Sequence, residues 1–351
     1  MNKIMMILSS AKVGGPYVSH KRIMESYLSN KYYFVPFYKP RIRQIMTRKF
    51  FRDFKLTIKE EKPDCIQIPG LQIDAFFLLL YIRIIDKTIP TVLVVHGSVT
   101  ESMRKDFLTR VVGVAMEKWS LKRATITYGV SDYVGNLSIV KRHCSNYAGT
   151  IYNLPFCNTN GLVDVDALRR KLGISPDSFV VVSTGRITQE KGYDNLLQVM
   201  DNLKLHEDIR FLIVGDGPYL PIIKKKKLEN VICTGQVDDV SQFLAISNLF
   251  VILTKHETLC NSIIEAGMFK LPCIATRVGG IPEIITEGCG SLVEVNSITE
   301  TEKEILRYKD STYLCEEMGE NLQKRIDTVF SERRNMEKLD NIYNKVLGDQ
   351  L

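Results

Sequence analysis

Short runs of β-branched and aromatic residues alternate with longer helical stretches along almost the whole chain, and this alternation restricts the fold more than any single motif. The first half offers candidate strands at Ile4 to Leu8, Tyr33 to Phe37, Cys65 to Ile68, Val92 to Val95, Thr125 to Tyr128 and Thr150 to Tyr152. The second half repeats the plan at Val180 to Thr184, Phe211 to Val214, Val231 to Thr234, Leu249 to Leu253, Cys273 to Thr276 and Ser291 to Val293. Strands separated by helix-length segments pair in parallel, and a parallel sheet needs helices on both faces. The 351 residues also exceed what one hydrophobic core usually organises. Between the halves, Asn153 to Asn160 carries Pro155 and several Asn and Thr residues before a polar helix at Asp164 to Leu172, which reads as a domain boundary. The expected fold is α/β: two doubly wound domains facing each other, with the carboxyl ends of both sheets at a shared cleft where ligands of such folds bind.

Composition excludes several other classes. Hydrophobic residues at 45% and charged residues at 25% suit a soluble globular protein without low-complexity bias. Met1-Asn2-Lys3 followed by Ile4 to Leu8 leads into a Gly-Gly turn with no cleavage pattern, so a first strand is expected rather than an export signal. The longest apolar run, Ala75 to Ile82, stops at Arg83, far below the roughly 20 residues that span a bilayer. The eight cysteines form no CxxC pair and no metal-ligand spacing, which argues for small buried hydrophobes in a reducing compartment and against a zinc site or disulfide framework.

Charge is distributed unevenly. Met1 to Pro155 holds 24 Lys and Arg against 11 Asp and Glu, a net of +13, and the remainder holds 23 against 29, a net of −6. In the basic half, Lys39, Arg41, Arg43, Arg48, Lys49, Arg52 and Lys55 interleave with Ile42, Ile45, Met46, Phe50, Phe51 and Phe54. Two readings stand: a cationic amphipathic surface for anionic lipid or an anionic substrate, or the solvated face of a helix. The run Lys224 to Lys227 lacks interleaved aromatics and reads as a solvated helix end, with no nucleic-acid partner expected.

The richest chemistry follows the strand at Leu249 to Leu253. There Glu257 sits on a loop, and Asn261 or Ser262, both good N-cap types, should start a helix containing Glu265. The free N–H groups and positive end of that helix would attract a phosphate. Glu257 could accept hydrogen bonds from sugar hydroxyls, and Glu265 could grip the two hydroxyls of a ribose. Two glutamates eight apart identify nothing by spacing; the strand, loop and helix start around them, and Gly279-Gly280-Ile281-Pro282-Glu283 beyond, give the pair its meaning. A second constellation, Gly185-Arg186-Ile187-Thr188-Gln189-Glu190-Lys191-Gly192, sets two cations past the end of the second half's first strand, where they suit a diphosphate.

At these residues the chain resembles the family-four (group 1) retaining glycosyltransferases of the GT-B fold, whose hallmark is a Glu, seven residues, a second Glu and then a Gly-Gly-x-Pro-Glu turn. The resemblance implies that Glu257 contacts the donor sugar, that Thr258, Leu259 and Cys260 offer backbone amides to the diphosphate and sugar, and that Glu265 binds the ribose. It likewise implies that Arg186 and Lys191 stabilise the departing diphosphate. Thr258 and Cys260 stand where the commonest pattern has glycines, and Ala266-Gly267-Met268 replaces Ala-Met-Ala, so the donor sugar is not transferable from better-known members. Gly14-Gly15-Pro16 lacks the GxGxxG spacing of a dinucleotide fingerprint, which argues against a dehydrogenase; the resemblance suggests a loop near donor and acceptor phosphates. His96, after the strand at Val92 to Val95, reads by itself as a packed structural residue, and the resemblance implies instead a positioning contact with the donor sugar. Ser131-Asp132 resembles the family's Val-Ser-Asp/Glu segment, with plain N-capping an equal explanation. Gly215 to Pro218 matches a Gly-x-Gly-Pro turn, and Gln236 or Val237 would meet the nucleobase.

The resemblance implies three parts: an N-terminal acceptor-binding domain at 1–157, a nucleotide-sugar-binding domain at 158–334, and a last helix at 335–351 crossing back onto the first. It further implies metal-independent transfer with retained configuration from a nucleotide-sugar donor, a substrate and not a cofactor, to a saccharide or lipid-linked acceptor in cell-surface polysaccharide synthesis. UDP or GDP would leave, and the enzyme would be cytoplasmic, peripheral at the inner face of the membrane. The competing expectations are a sugar phosphorylase or nucleotide-sugar epimerase of related architecture, and a binding module without catalysis.

Overall fold

The computed structural model describes residues 1–11, 14–101, 107–154 and 163–348. It contains two six-stranded sheets, and every strand pair in both is parallel. The first comprises β1 (Asn2–Ser9), β2 (Tyr32–Lys39), β3 (Cys65–Pro69), β4 (Thr91–Val95), β5 (Ile126–Gly129) and β6 (Tyr147–Thr150), in the order β2-β1-β3-β4-β5-β6. The second comprises β7 (Phe179–Thr184), β8 (Ile209–Val214), β9 (Val231–Gly235), β10 (Leu249–Ile252), β11 (Cys273–Thr276) and β12 (Ser291–Val293), in the order β12-β11-β10-β7-β8-β9. Each is the α/β doubly wound pattern expected from the alternation. The chain divides into two units, Met1–Leu154 with Glu332–Leu351, and Pro155–Ser331. The boundary expected at 157/158, together with Cys157, lies outside the described residues.

One strand differs from expectation. Thr150 to Tyr152 reads as a strand interior because Ile151 and Tyr152 are apolar, and both are indeed buried. The strand itself is Tyr147–Thr150, joined to β5 with an irregular register. By Tyr152 the chain has left the sheet: its N–H donates to the Asn335 side-chain oxygen at 2.9 Å, on the last helix. Burial there comes from that helix rather than from strand pairing.

The first unit's core rests on β1, whose Ile4 to Leu8 are at most 1% exposed, and on the helix Ile73–Ile85, which buries Ala75, Leu78, Leu79 and Ile82. The long apolar run therefore covers a sheet. No helix among the described residues is long and apolar enough to cross a membrane. The helix Glu332–Leu347 joins the same core through Met336, Leu339, Ile342 and Tyr343, one stripe at helical spacing. Burying each of those side chains stabilises the unit by roughly 1.5–3 kcal/mol. The Tyr343 hydroxyl donates to the Gln67 side-chain oxygen at 2.7 Å, and the Gln67 amide donates to the Tyr128 hydroxyl at 3.3 Å, so β3 and β5 share one buried network with the helix.

The basic segment folds as a short helix, Ile42–Ile45, and a longer one, Arg48–Glu61. Thr47 caps the longer helix by accepting from the Phe50 N–H at 3.2 Å. Phe54 and Ile58 are buried, and Phe50 stacks on Phe54 at 5.7 Å between ring centroids, so the aromatic residues of this stretch face the core. Arg48, Lys49, Arg52 and Lys55 are left on the exposed face.

Candidate functional site

In an open doubly wound sheet, ligands gather where the strand order reverses, because loops leaving two neighbouring strands there diverge to opposite faces. In the second sheet the reversal falls between β7 and β10: the chain moves outward from β7 to β8 and β9, then returns to β10 on the other side. The Arg186–Lys191 loop leaves β7 and the Glu257 loop leaves β10, so both sequence constellations stand at that one place.

The two loops are tied together. Lys191 Nζ forms an ion pair with Glu257 Oε2, with side-chain exposures of only 25% and 15%. Burial by itself would depress the Lys191 ammonium; the Glu257 charge and hydrogen bond outweigh it and hold the pKa above the usual lysine value. The backbone follows suit, since the Glu190 carbonyl accepts from the Lys255 N–H at 2.8 Å and the Thr254 hydroxyl at 3.3 Å. A second pair, Lys255 Nζ to Asp194 Oδ2 at 2.5 Å, braces the other side.

Two glycines make this packing possible. At Gly279, with φ +55°, an added Cβ would lie 1.5 Å from the Glu257 carbonyl oxygen. At Gly192, with φ +76°, it would lie 1.8 Å from the Leu253 carbonyl oxygen. Both positions require a residue without a side chain, for the left-handed backbone and for the close approach. The Gly-Gly-x-Pro-Glu turn thus acts by seating the Glu257 loop.

After Glu257 the chain enters the helix Asn261–Met268. Neither Asn261 nor Ser262 is the cap: both lie inside the first turn, and Cys260 takes the N-cap position without a side-chain cap bond. The cap residue thereby offers no side-chain hydrogen bond to the first N–H groups of the helix. The Cys260 thiol is buried against Ser262 Oγ at 3.2 Å, and burial pushes its pKa up to about 11. Its side chain packs inward, as does that of Leu259 at 5% exposure, while Thr258 is half-buried. Asn261 Oδ1 is buried with no hydrogen-bond partner. Glu265 is half-buried between the buried Ile264 and Ala266. Gly267 lets this helix press on Leu322 and Ile326, where an added Cβ would meet side chains at 2.9 Å, which accounts for the small residue in place of the family's larger one.

Arg186 is exposed, and among the described residues no hydrogen bond or ion pair engages its guanidinium. Gln236, exposed, and half-buried Val237 follow β9, two strands from β7, about 10 Å away at the usual strand spacing.

The first sheet reverses between β1 and β3. Gly14 and Gly15 follow β1 as the cap and first residue of the helix Gly15–Glu25, both exposed, with Gly14 at φ +91°. His96 follows β4, and its Nε2 is buried without a partner. Its ring lies 6.0 Å from that of His20, whose Nδ1 donates to the Pro16 carbonyl at 2.9 Å and whose Nε2 is also buried and unpartnered. Burial, and after it the neighbouring His20 and Lys39, pushes His96 down to about 3. Burial chiefly, and Lys39, pushes His20 down to about 4. Both rings are neutral at pH 7. Ser131 accepts from the Val134 N–H at 3.2 Å as an N-cap, the plainer of its two expected roles.

Sequence reasoning missed Asp194 with Lys255, and in the first unit Lys39 with Asp74, an ion pair with side-chain exposures of 12% and 18%. Lys39 ends β2 and Asp74 opens the helix after β3, so position beside a reversal in strand order was the available signal.

Two parallel doubly wound units of this kind make up the GT-B fold. The likeness to solved structures is extensive: sucrose-phosphate synthase from Thermosynechococcus elongatus superposes with a TM-score of 0.85 at 17% identity, covering 100% of both chains. Anabaena HepE in complex with UDP gives 0.76 at 17% identity, covering 98% of this chain and 100% of that one. Residues 164–325 match the family model described as "Glycosyl transferases group 1", the family that the sequence motifs resemble. Among relatives, N-acetyl-alpha-D-glucosaminyl L-malate synthase of Bacillus anthracis is 29% identical over 206 residues, 57% of this chain and 54% of its own length. The capsular polysaccharide biosynthesis glycosyltransferase CapM of Staphylococcus aureus is 26% identical over 252 residues, 67% of this chain and 65% of its own. The chain thus spans about half to two thirds of the length of these curated relatives.

Proposed function

We propose that this protein transfers a sugar from a nucleoside diphosphate sugar to a hydroxyl of a saccharide or lipid-linked saccharide, retaining anomeric configuration and using no metal. The observation that carries the reading is the Lys191–Glu257 pair across the strand-order reversal of the second sheet, with Arg186 exposed on the same loop as Lys191. Arg186 and Lys191 take up the negative charge that grows on the leaving diphosphate, and the uncapped start of the helix Asn261–Met268 adds its positive end. Glu257, held by Lys191 and the Gly279 turn, contacts the donor sugar. Glu265 binds the ribose, and Gln236 or Val237 meets the base. The acceptor hydroxyl attacks on the face the diphosphate leaves, and the diphosphate takes its proton, so UDP or GDP is released. The UDP bound by HepE and the polysaccharide role named for CapM support this assignment.

The exposed cationic face of Arg48, Lys49, Arg52 and Lys55 suits peripheral contact with an anionic inner membrane surface. Vesicle binding should weaken with salt and with charge reversal at Arg48 and Arg52; insensitivity to both sinks the membrane assignment. For the reaction, a thermal-shift panel of UDP-, GDP- and ADP-sugars with and without EDTA selects the donor, and NMR of the product reads its anomeric configuration. Arg186→Ala and Glu265→Ala should each weaken the best donor at least tenfold. If neither does, the site is misassigned; a sugar 1-phosphate or an epimerised donor as product would point to a phosphorylase or an epimerase.

A further inference from the structure

The loop that carries Arg186 is held from one side by the loop leaving β8. The two strands pair as far as Thr184 and Val214, and their hydrogen bonding then continues beyond both. The Gly185 N–H donates to the Val214 carbonyl at 3.0 Å, the Ile187 N–H to the Asp216 carbonyl at 2.9 Å, and the Tyr219 N–H to the Ile187 carbonyl at 3.0 Å. Two glycines let the backbones lie this close. An added Cβ at Gly215 would stand 1.9 Å from the Gly185 carbonyl oxygen, and one at Gly217 would stand 2.4 Å from the Ile187 carbonyl oxygen.

Arg186 sits between the two anchored residues. Ile187 is fully buried, whereas Arg186 beside it is exposed. A long exposed side chain has little packing to aim it, so the backbone on either side decides where the guanidinium can reach.

The peptide joining Asp216 to Gly217 makes the contact with Ile187, and the Asp216 side chain holds that peptide: its Oδ1 accepts from the Gly217 N–H at 2.7 Å. The N–H and carbonyl of a trans peptide share a plane and point opposite ways, so fixing the N–H also fixes the carbonyl that accepts from Ile187. Glycine on both sides of Asp216 gives this turn wide backbone freedom, which the side-chain bond restrains. The carboxylate would itself repel a diphosphate, so its service is to the backbone.

We propose that Asp216 is a positioning residue for the transfer: its carboxylate locks the Asp216–Gly217 peptide, that peptide anchors Ile187, and the anchored loop aims Arg186 at the leaving diphosphate. What Arg186 meets rests on the transfer reading above; the coupling of Asp216 to the Arg186 loop does not.

The test titrates the full chain calorimetrically with UDP, GDP and ADP, and follows amide exchange at Ile187 by NMR without nucleotide. Asp216→Ala should speed exchange at Ile187 and weaken the best nucleotide about tenfold. Asp216→Asn loses the charge but keeps the acceptor, so it should match the unaltered chain in exchange and stay within about twofold of it in affinity. In an Arg186→Ala chain, adding Asp216→Ala should change affinity by less than about twofold, because the effect runs through Arg186. Asp216 is exposed, so its replacement leaves the core intact. The proposal fails if Asp216→Ala leaves either the Ile187 exchange or the affinity unchanged, if Asp216→Asn is as weak as Asp216→Ala, or if the loss persists in the Arg186→Ala chain. An unaltered chain that binds none of the three nucleotides, while Asp216→Ala still frees the Ile187 amide, would instead sink the transfer reading and leave only the coupling of the two loops standing.

Discussion

Lys191 and Glu257 lie 66 residues apart in sequence and pair directly across the strand-order reversal of the second sheet. Each fixes the other, and both are largely withdrawn from solvent. Removing one partner strands the other's charge, whereas removing both does not. Lys191→Met should therefore lower stability by about 2 kcal/mol and turnover by about 10²-fold. The double variant Lys191→Met, Glu257→Leu should regain most of the melting temperature and none of the turnover. Thermal melts beside single-turnover assays test this; equal melts for the single and double variants would show that the pair contributes nothing to folding.

Gly279→Ala should be the most damaging single-methyl change near the site. Its Cβ would overlap the Glu257 carbonyl, on top of a left-handed backbone that costs about 1–3 kcal/mol for a strained residue. Gly14→Ala also sits at positive φ but meets nothing within 4 Å, so it bears the backbone cost alone. Donor affinity should fall at least tenfold for the first and much less for the second, by calorimetric titration.

Acid should destabilise the first unit through His20. Its folded pKa, about 4, lies below the ordinary value of 6.5, so the unfolded chain binds the proton more readily. The stability is fully present above pH 6.5 and is lost as pH falls from there toward 4, by about 3 kcal/mol over the window. The Lys39 charge acts on this ring in the same sense as burial, and the neighbouring His96 is itself pushed down by burial, with His20 and Lys39 after it. His20→Gln should flatten the dependence of melting temperature on pH between 7 and 5; an unchanged slope would assign it to other groups.

The last helix should be essential to the first unit and indifferent to the second. Leu339→Ala removes a fully buried side chain and should cost about 2–5 kcal/mol. Tyr343→Phe leaves the Gln67 oxygen without its donor and should cost about 1–3 kcal/mol. Hydrogen exchange should show faster opening at β1, β3 and β5 in both variants, with β7 to β11 unaffected.

The architecture was legible because strand and helix periods differ, and runs such as Val180 to Thr184 and Phe211 to Val214 are too short for helices and too apolar for loops. The Glu257 and Arg186 loops were legible for a related reason: both follow strands, and strand order turns that position into proximity. What escaped was pairwise and long-range. Nothing local marks Lys39 for Asp74 or Lys255 for Asp194, because such pairs depend on which strands become neighbours. The sixth strand was misplaced for the same reason, since Tyr152 is buried by a helix that begins 180 residues later.

That helix makes the first unit discontinuous: the chain leaves it at Leu154 and comes back at Glu332. During synthesis the whole of Pro155–Ser331 emerges before the first unit can close its core. Until then the surface that Met336, Leu339 and Tyr343 will cover, including the Gln67 amide, stands open to water and to other chains. A chain ending at Ser331 would therefore carry every element of the second unit and an adhesive first one, which makes the early-synthesised half the part most exposed to wrong contacts.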